Sequence, residues 1–170
     1  MEERELVYLS IGSNLGDRLQ NIKDAIRFIQ RDIGTIENIS PVYEAPPLGF
    51  ESSDFFLNLC IAIRTVLSPN DILTASQEIE KELGRIKKST NGYSSRIIDI
   101  DIILYGNQEM TSEYLTIPHP LFRERNFVLQ PLNDLDKDLT DPITMLTIEQ
   151  LKKNCKDQSK LERLQIKIDH

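Results

Sequence analysis

The chain has 170 residues, a length that suits one domain with a sizeable core and leaves little room for two. Asp and Glu number 27 against 20 Lys and Arg, so the net charge is −7 at neutral pH. This acidic balance disfavours nucleic acids and anionic membranes as partners, and any bound anion must be held by a local cluster of basic side chains.

Features missing from the sequence exclude further classes of protein. Residues 1–5 are acidic and no apolar run reaches spanning length, so we expect a cytoplasmic protein with neither a secretion signal nor a membrane anchor. Cys60 and Cys155 lack CxxC or histidine-rich surroundings, which argues against zinc and disulfides. Because His119 and His170 are the only histidines, oxygen ligands remain the main route to metal chemistry.

Apolar periodicity predicts the elements of the first half of the chain. Residues 6–11 are a predicted strand that stops at the turn-forming residues 12–14. Apolar residues then recur at steps of three and four from Leu15 to Ile33, which predicts a helix with Gly34 at its C′ position. Residues 36–43 and 55–66 are predicted strands, with a proline-rich loop over residues 44–54 between them.

The second half of the chain begins with several sequence signals for the start of a helix. Ser68 is the predicted N-cap, Pro69 the first helical residue and Asp71 the acid three residues after the cap, and the helix runs to Gly84. A further strand ends at Tyr105. The order β-α-β-β-α-β predicts an α+β, ferredoxin-like core, with two helices on one face of a four-stranded antiparallel sheet.

The remainder of the chain carries weaker patterns. Residues 123–135 are predicted to be a short irregular or helical stretch, and residues 139–170 a tail with one helix around residues 147–154. We treat residues 1–170 as a single domain, because no linker or internal repeat divides them.

Asp99 and Asp101 lie within an otherwise apolar strand. Because successive side chains of a strand point to opposite faces, the two carboxylates share one face and the neighbouring isoleucines, Ile98, Ile100 and Ile102, share the other. Taken alone, the pair is slightly better explained as the solvated face of an antiparallel sheet than as a metal site.

Arg85 and Arg96 shift this balance, because they flank a polar loop over residues 87–95 just before the acidic pair. A carboxylate pair beside a basic loop is what Mg²⁺ and a polyphosphate require. The ion needs oxygen ligands, and the phosphates need cationic donors.

Short blocks in a fixed order carry a resemblance to a known family. In chain order they are residues 12–18 (GSNLGDR), 43–49 (YEAPPLG), 56–58 (FLN), 96–101 (RIIDID), 117–120 (IPHP) and 125–129 (RNFVL). Each block is weak alone, but together, over about residues 6–135, they make the chain resemble the 6-hydroxymethyl-7,8-dihydropterin pyrophosphokinases. The resemblance implies a folate-pathway enzyme that moves the pyrophosphoryl group of ATP onto a reduced hydroxymethyl pterin and releases AMP.

The resemblance also implies roles for individual residues. Asp99 and Asp101 would hold two Mg²⁺ ions while Arg85 and Arg96 act on the phosphates, and these four are the implied catalytic residues. The implied pterin contacts are Ala45, Pro46, Leu48, Phe56, Asn58 and Phe127. The implied ATP contacts are Gln77, Glu80, Lys87, Thr116, His119 and Arg125.

Plainer explanations exist for several of these residues. By pattern alone Phe56 is more readily a core residue, and His119, between two prolines, is as readily part of a turn as a ligand contact. Gln77 and Glu80 lie one turn apart on a helix, which is typical of an ordinary wet surface.

The chain departs from the family pattern before its acidic strand. Tyr93, Ser94 and Ser95 stand where Trp-Gly-Pro is usual, which leaves open how the loop closes over the nucleotide. We expect a monomer that binds ATP, Mg²⁺ and pterin but neither nucleic acid nor membrane. Two alternatives stay open: a binding module that has lost turnover, and a ferredoxin-like RNA-binding module, against which the acidic charge counts.

Overall fold

The computed structural model describes residues 2–46, 55–84 and 97–170. Most of these residues lie in helices and antiparallel strands. The strands are β1 Glu5–Ser13, β2 Thr35–Ile39, β3 Tyr43–Ala45, β4 Phe56–Thr65, β5 Asp99–Tyr105, β6 Met110–Thr111, β7 Thr116–Ile117 and β8 Glu162–Arg163. The helices are α1 Arg18–Asp32, α2 Pro69–Glu82, α3 Asn126–Leu135 and α4 Ile148–Asn154. None of these helices is long and apolar enough to cross a membrane.

The main sheet is antiparallel and runs in the order β5-β1-β4-β3-β8, with β2 also pairing with β4. Helices α1 and α2 pack on one face, where Ile29 and Ile79 join the buried residues of β1 and β5. Helices α3 and α4 pack on the other face, where Leu129 and Leu151 join Tyr8 and other buried residues. The α+β class predicted from the sequence is therefore confirmed.

Two predicted strand boundaries are wrong. β1 continues through Gly12 and Ser13, which pair with Asn58 and Leu57 of β4, because pairing inside the sheet overrides the turn preference of these residues. The predicted strand over residues 36–43 is two strands, β2 and β3. Pro41 lies between them and has no N–H to donate to a ladder.

The helix starts follow local capping chemistry. Ser68 Oγ accepts from Asp71 N at 3.2 Å and Pro69 is the first helical residue, which confirms the predicted start of α2. Asp17 caps α1 by accepting from Gln20 N at 3.1 Å. The first helix therefore begins at Arg18, and Leu15 of the predicted stripe lies outside it.

Gly34 follows α1 as predicted, but for a different reason. It does not adopt the left-handed conformation typical of a C′ glycine. A Cβ at this position would lie 2.3 Å from the carbonyl oxygen of Arg64, so the absence of a side chain lets the chain pass close to β4.

The C-terminal tail is part of the folded structure. Its helix α4 begins after Thr147, close to the predicted start, and its strand β8 pairs with β3 at the edge of the main sheet. Ile168, near the C-terminus, is buried against the core on the α1 and α2 side of the sheet.

Candidate functional site

Most of the described residues implicated by the sequence converge on one cavity, on the face of the sheet that also carries α3. The cavity is lined by Ser10, Gly12, Ala45, Pro46, Phe56, Asn58, Asp99, Asp101, Arg125 and Phe127. Sequence reasoning found all of these residues except Ser10 and Gly12. The strands thus supply the floor of the cavity, and the start of α3 supplies one wall.

Strand pairing fixes the spacing between the amide and the acidic residues. Gly12 of β1 pairs with Asn58 of β4 on one side and with Asp99 of β5 on the other, while Ser10 pairs with Asp101. Two strand spacings separate Asn58 from Asp99, which is roughly 10 Å between their Cα atoms. The amide and the carboxylates therefore flank position 12, where the sheet carries no side chain.

Asp99 and Asp101 share a face, as the alternation of the strand predicts. Both are partly buried, whereas Ile98, Ile100 and Ile102 are only 0%, 3% and 5% exposed on the opposite face. The two carboxylates line a cavity beneath the start of α3. The two carboxylates therefore do not lie on an open, solvated sheet face, which the sequence alone slightly favoured.

The donor chemistry of the pair fits a hard divalent cation. Mg²⁺ prefers oxygen ligands and is usually held by one or two carboxylates, with water and substrate phosphates completing the octahedron. Within the described ranges, no group of three or more His, Cys, Asp or Glu side chains forms a metal-binding cluster. Asp99 and Asp101 could therefore hold Mg²⁺ together with a nucleotide, rather than enclose an ion by themselves.

Gly12 is a site residue that the sequence placed in a family block but to which it assigned no role. A Cβ at this position would lie 2.7 Å from Asn58 Oδ1 and 3.7 Å from Phe56 Cδ1. Asn58 is only 4% exposed, so its amide has little freedom to move away. The absence of a side chain at position 12 lets the Asn58 amide sit at the floor of the cavity.

Two aromatic rings line the cavity. Phe56 enters from β4, where it is partly buried, and Phe127 enters from the first turn of α3. The Arg125 guanidinium carbon lies 5.7 Å from the centroid of the Phe127 ring, within cation–π range. Both rings therefore present apolar surface to the cavity, beside the guanidinium of Arg125.

Arg18, from the same family block, is a second contributor to which the sequence assigned no role. Its Nη1 donates to Glu44 Oε2 and to the carbonyl oxygen of Phe55, each at 2.8 Å. These partners lie at the end of β3 and just before β4, so one guanidinium joins the two ends of the segment that carries Pro46.

Tyr43 ties β3 to α3 behind the cavity. Its hydroxyl donates to Asp134 Oδ2 at 2.5 Å. Burial and this hydrogen bond raise the pKa of Tyr43 to about 12, so the phenol stays protonated and keeps donating throughout the physiological pH range.

The predicted ATP contacts are more dispersed. Gln77 and Glu80 lie on α2, whose apolar face packs on the side of the sheet opposite the carboxylates. Glu80 is only 3% exposed, so a wet surface is the wrong description for it. Thr116 lies in β7, and His119 Nδ1 accepts from Leu121 N at 3.1 Å. Within the described residues, the lining of the cavity includes none of these four, and their ATP role stays a prediction.

Four predicted site residues lie outside the described residues. They are Leu48 in the predicted pterin set, Lys87 in the predicted ATP set, and the predicted catalytic arginines Arg85 and Arg96.

Known proteins similar to this chain point to one family. A family profile described as 7,8-dihydro-6-hydroxymethylpterin-pyrophosphokinase matches residues 8–137. The 2-amino-4-hydroxy-6-hydroxymethyldihydropteridine pyrophosphokinase of Porphyromonas gingivalis is 46% identical over 132 residues, which is 76% of this chain and 90% of that protein. The protein of the same name from Bacillus subtilis is 34% identical over 146 residues, covering 85% and 86% of the two chains.

Longer proteins contain a similar region. The folic acid synthesis protein fol1 of Pneumocystis carinii is 43% identical over 146 residues, and the match spans only 20% of its length. The crystal structure of wild-type Plasmodium falciparum HPPK-DHPS with pterin and p-hydroxybenzoate superposes with a TM-score of 0.74 at 17% identity, over 91% of this chain and 43% of that one, and shows the fold. The profile match and the relatives of similar length show that this chain belongs to the 7,8-dihydro-6-hydroxymethylpterin-pyrophosphokinase family.

Proposed function

We propose that this protein transfers the terminal pyrophosphoryl group of ATP to the hydroxymethyl oxygen of 6-hydroxymethyl-7,8-dihydropterin, in folate biosynthesis. One observation carries the proposal: a single cavity holds an acidic pair on β5 beside an aromatic and amide slot on β4 and α3. Membership of the pyrophosphokinase family supports the same reaction.

The slot suits a flat, neutral and hydrogen-bonding ring. Phe56 and Phe127 would stack on the pterin, and the buried Asn58 amide would pair with its polar edge. Ala45 and Pro46 line the same cavity, where their backbone groups would contact the pterin. This orientation would direct the hydroxymethyl group across Gly12 toward β5.

The reaction joins the hydroxymethyl oxygen to the β-phosphorus of ATP. The bond from that phosphorus to the oxygen bridging it to the α-phosphorus breaks, AMP leaves with that oxygen, and the hydroxyl proton is released. Bound Mg²⁺ would neutralise the phosphate charge and align the two substrates. Asp99 and Asp101 would hold the metal, and Arg125, also in the lining, would place a positive charge beside the phosphates.

The proposal extends to finer features of the protein. We propose that activity requires two Mg²⁺ ions together with ATP. We also propose that a single domain carries the whole site, with a ferredoxin-like topology to which α3, α4 and the tail are added. This chain itself supplies the acidic pair, the amide and both aromatic rings of the proposed site, and we propose a monomer.

Product identity tests this proposal. The purified protein, incubated with ATP, Mg²⁺ and the hydroxymethyl dihydropterin, should form AMP and a pterin diphosphate in equal amounts, as separated by ion-exchange chromatography. Omission of the pterin or of Mg²⁺ should abolish AMP formation. Formation of ADP in place of AMP would contradict the proposal, and so would AMP formation that does not depend on the pterin.

A further inference from the structure

The start of α3 forms a wall of the cavity but is not capped by its own sequence. Arg125 occupies the N-cap position and Phe127 the second helical position, and both line the cavity. The first N–H groups of a helix need acceptors from outside the helix, and an arginine side chain has only donors. The first N–H of α3 therefore needs an acceptor from elsewhere in the chain.

Asp157 is that acceptor. Its Oδ2 accepts from the backbone N–H of Asn126, the first residue of α3, at 3.0 Å. Its Oδ1 accepts from the N–H and the hydroxyl of Ser159 at 2.9 and 2.5 Å, and Asn126 Nδ2 donates to the Ser159 carbonyl oxygen at 3.3 Å. A carboxylate at a helix N-terminus is also favoured by the helix dipole.

The same stretch of chain then pairs with β3, whose end forms a second wall of the cavity, the strand wall. Glu162 and Arg163 of β8 pair with Glu44 and Tyr43 of β3, and Leu164 N donates to the Val42 carbonyl oxygen at 2.9 Å. Ala45, the last residue of β3, and Pro46, which follows it, line the cavity. Residues 157–164 thus contact both the helix wall and the strand wall, although the family profile ends at residue 137.

We propose that residues 157–164 act as a clamp that fixes the positions of the two walls of the pterin slot relative to each other. Asp157 is then a positioning residue for pterin binding. This inference rests on the proposed function, because it assigns the slot to the pterin. Loss of the Asp157 carboxylate would leave the carboxylates of β5 in place while the start of α3, with Phe127, shifts. Pterin binding would weaken more than the rate at saturating pterin.

Asp157→Ala and Thr147→Ala form a matched pair for the test. Each removes a side-chain oxygen that caps a helix, but Thr147 caps α4, which does not line the described cavity. The readouts are KM and kcat for pterin-dependent AMP formation, the pterin Kd from calorimetry and the melting temperature. Loss of one cap should raise the pterin KM and Kd about fivefold in Asp157→Ala. In Asp157→Ala, kcat should stay within about twofold of the wild-type value. Thr147→Ala should show a similar fall in melting temperature but keep the wild-type pterin KM.

Three results decide the inference. An unchanged pterin Kd in folded Asp157→Ala overturns it, and so does an equal rise in both variants, which would indicate general destabilisation. If Asp157→Ala does not fold, Asp157→Asn keeps one acceptor oxygen and should show a smaller rise in pterin KM; an unchanged value there overturns the inference. Inactive wild-type protein would instead count against the proposed function, so the two failures are distinguishable.

Discussion

Gly12 separates Asn58 from Asp99 in the sheet without occupying the cavity between them. In Gly12→Ala the new methyl group would lie 2.7 Å from Asn58 Oδ1, so the amide must move. We expect the pterin KM to rise about tenfold or more, because a displaced buried amide loses its ligand contacts.

A double-mutant cycle tests this cause. Asn58→Ala removes the atom with which the methyl group clashes, so adding Gly12→Ala to it should have little further effect on the pterin KM. If the two substitutions multiply as independent effects, the clash with Asn58 is not how Gly12 acts.

The carboxylate pair carries the chemistry in this account. Asp99→Asn and Asp101→Asn each keep the side-chain shape and remove one anionic ligand, so kcat/KM for AMP formation should fall about a hundredfold or more. Melting temperature should change little. Asp138→Asn, at a carboxylate that is 76% exposed, is the control and should retain full activity. Wild-type activity in both site variants would show that these two carboxylates are not needed for the reaction.

Residues that act through local pattern were predictable, and residues that act through distant contacts were not. The alternation of Asp99 and Asp101 with isoleucines predicted a shared acidic face, because side-chain direction in a strand depends on sequence spacing alone. Gly12 and Arg18 matter because Asn58, Glu44 and other partners lie far along the chain. Both residues lie in the family block over residues 12–18, but nothing in that block shows which distant residues they contact.

At the scale of elements, the connection between β3 and β4 is held at its ends by Arg18. In Arg18→Met both hydrogen bonds, to Glu44 and to the Phe55 carbonyl, are lost. The side chains of the ion pair are 32% and 25% exposed, so we expect a loss of about 1 kcal/mol or less in unfolding free energy. The pterin KM should nevertheless rise severalfold. An unchanged KM would show that this anchor does not shape the slot.

A buried ion pair joins the 3₁₀ turn before α3 to the loop before α4. Asp141 is 0% exposed and receives two hydrogen bonds from Arg123, at 2.6 and 2.9 Å. Arg123→Met leaves this buried carboxylate without its cation, so unfolding free energy at pH 7 should fall by about 3 kcal/mol. Lys137→Met, at an exposed pair, should leave the midpoint of the same urea titration close to that of wild type.

The pH dependence of this loss follows from the pKa of Asp141. Desolvation alone would raise that pKa, but hydrogen bonds from Arg123, Thr144 and the Ile143 N–H hold it below its ordinary value of 3.8. A carboxylate with a lowered folded pKa stabilises the fold above its unfolded pKa, and that stabilisation is lost as the pH falls through the folded value. The difference between wild type and Arg123→Met should thus be larger at pH 7 than in acid, and it should begin to shrink above the ordinary pKa of the carboxyl, because desolvation raises the pKa of Asp141 in the variant. A difference that grows on acidification would contradict this assignment.

Elements with complete local signals were predicted well. α2 has its cap, its first-turn proline and its terminal glycine within the sequence that forms it, so its bounds were expected closely. β8 is two residues long and exists only because β3 lies beside it, so nothing in residues 155–170 alone predicts it. The order of strands in the sheet likewise depends on long-range pairing.

At the scale of the whole molecule, helices on both sides enclose the sheet. α1 and α2 cover one face while α3 and α4 cover part of the other. The site aromatics Phe56 and Phe127 line a cavity, whereas a ferredoxin-like RNA-binding module presents aromatic side chains on an exposed sheet. With a net charge of −7, this arrangement favours a small-molecule enzyme over an RNA-binding module.

The position of the bond that breaks in ATP tests the central claim most directly. ATP labelled with ³²P at the β-phosphate, incubated with the protein, Mg²⁺ and the hydroxymethyl dihydropterin, should deliver its label to the pterin product. Label at the α-phosphate should remain in AMP. We expect both results together, because the pterin hydroxyl attacks the β-phosphorus. Recovery of the β-label in ADP, with only the γ-phosphate transferred, would contradict it.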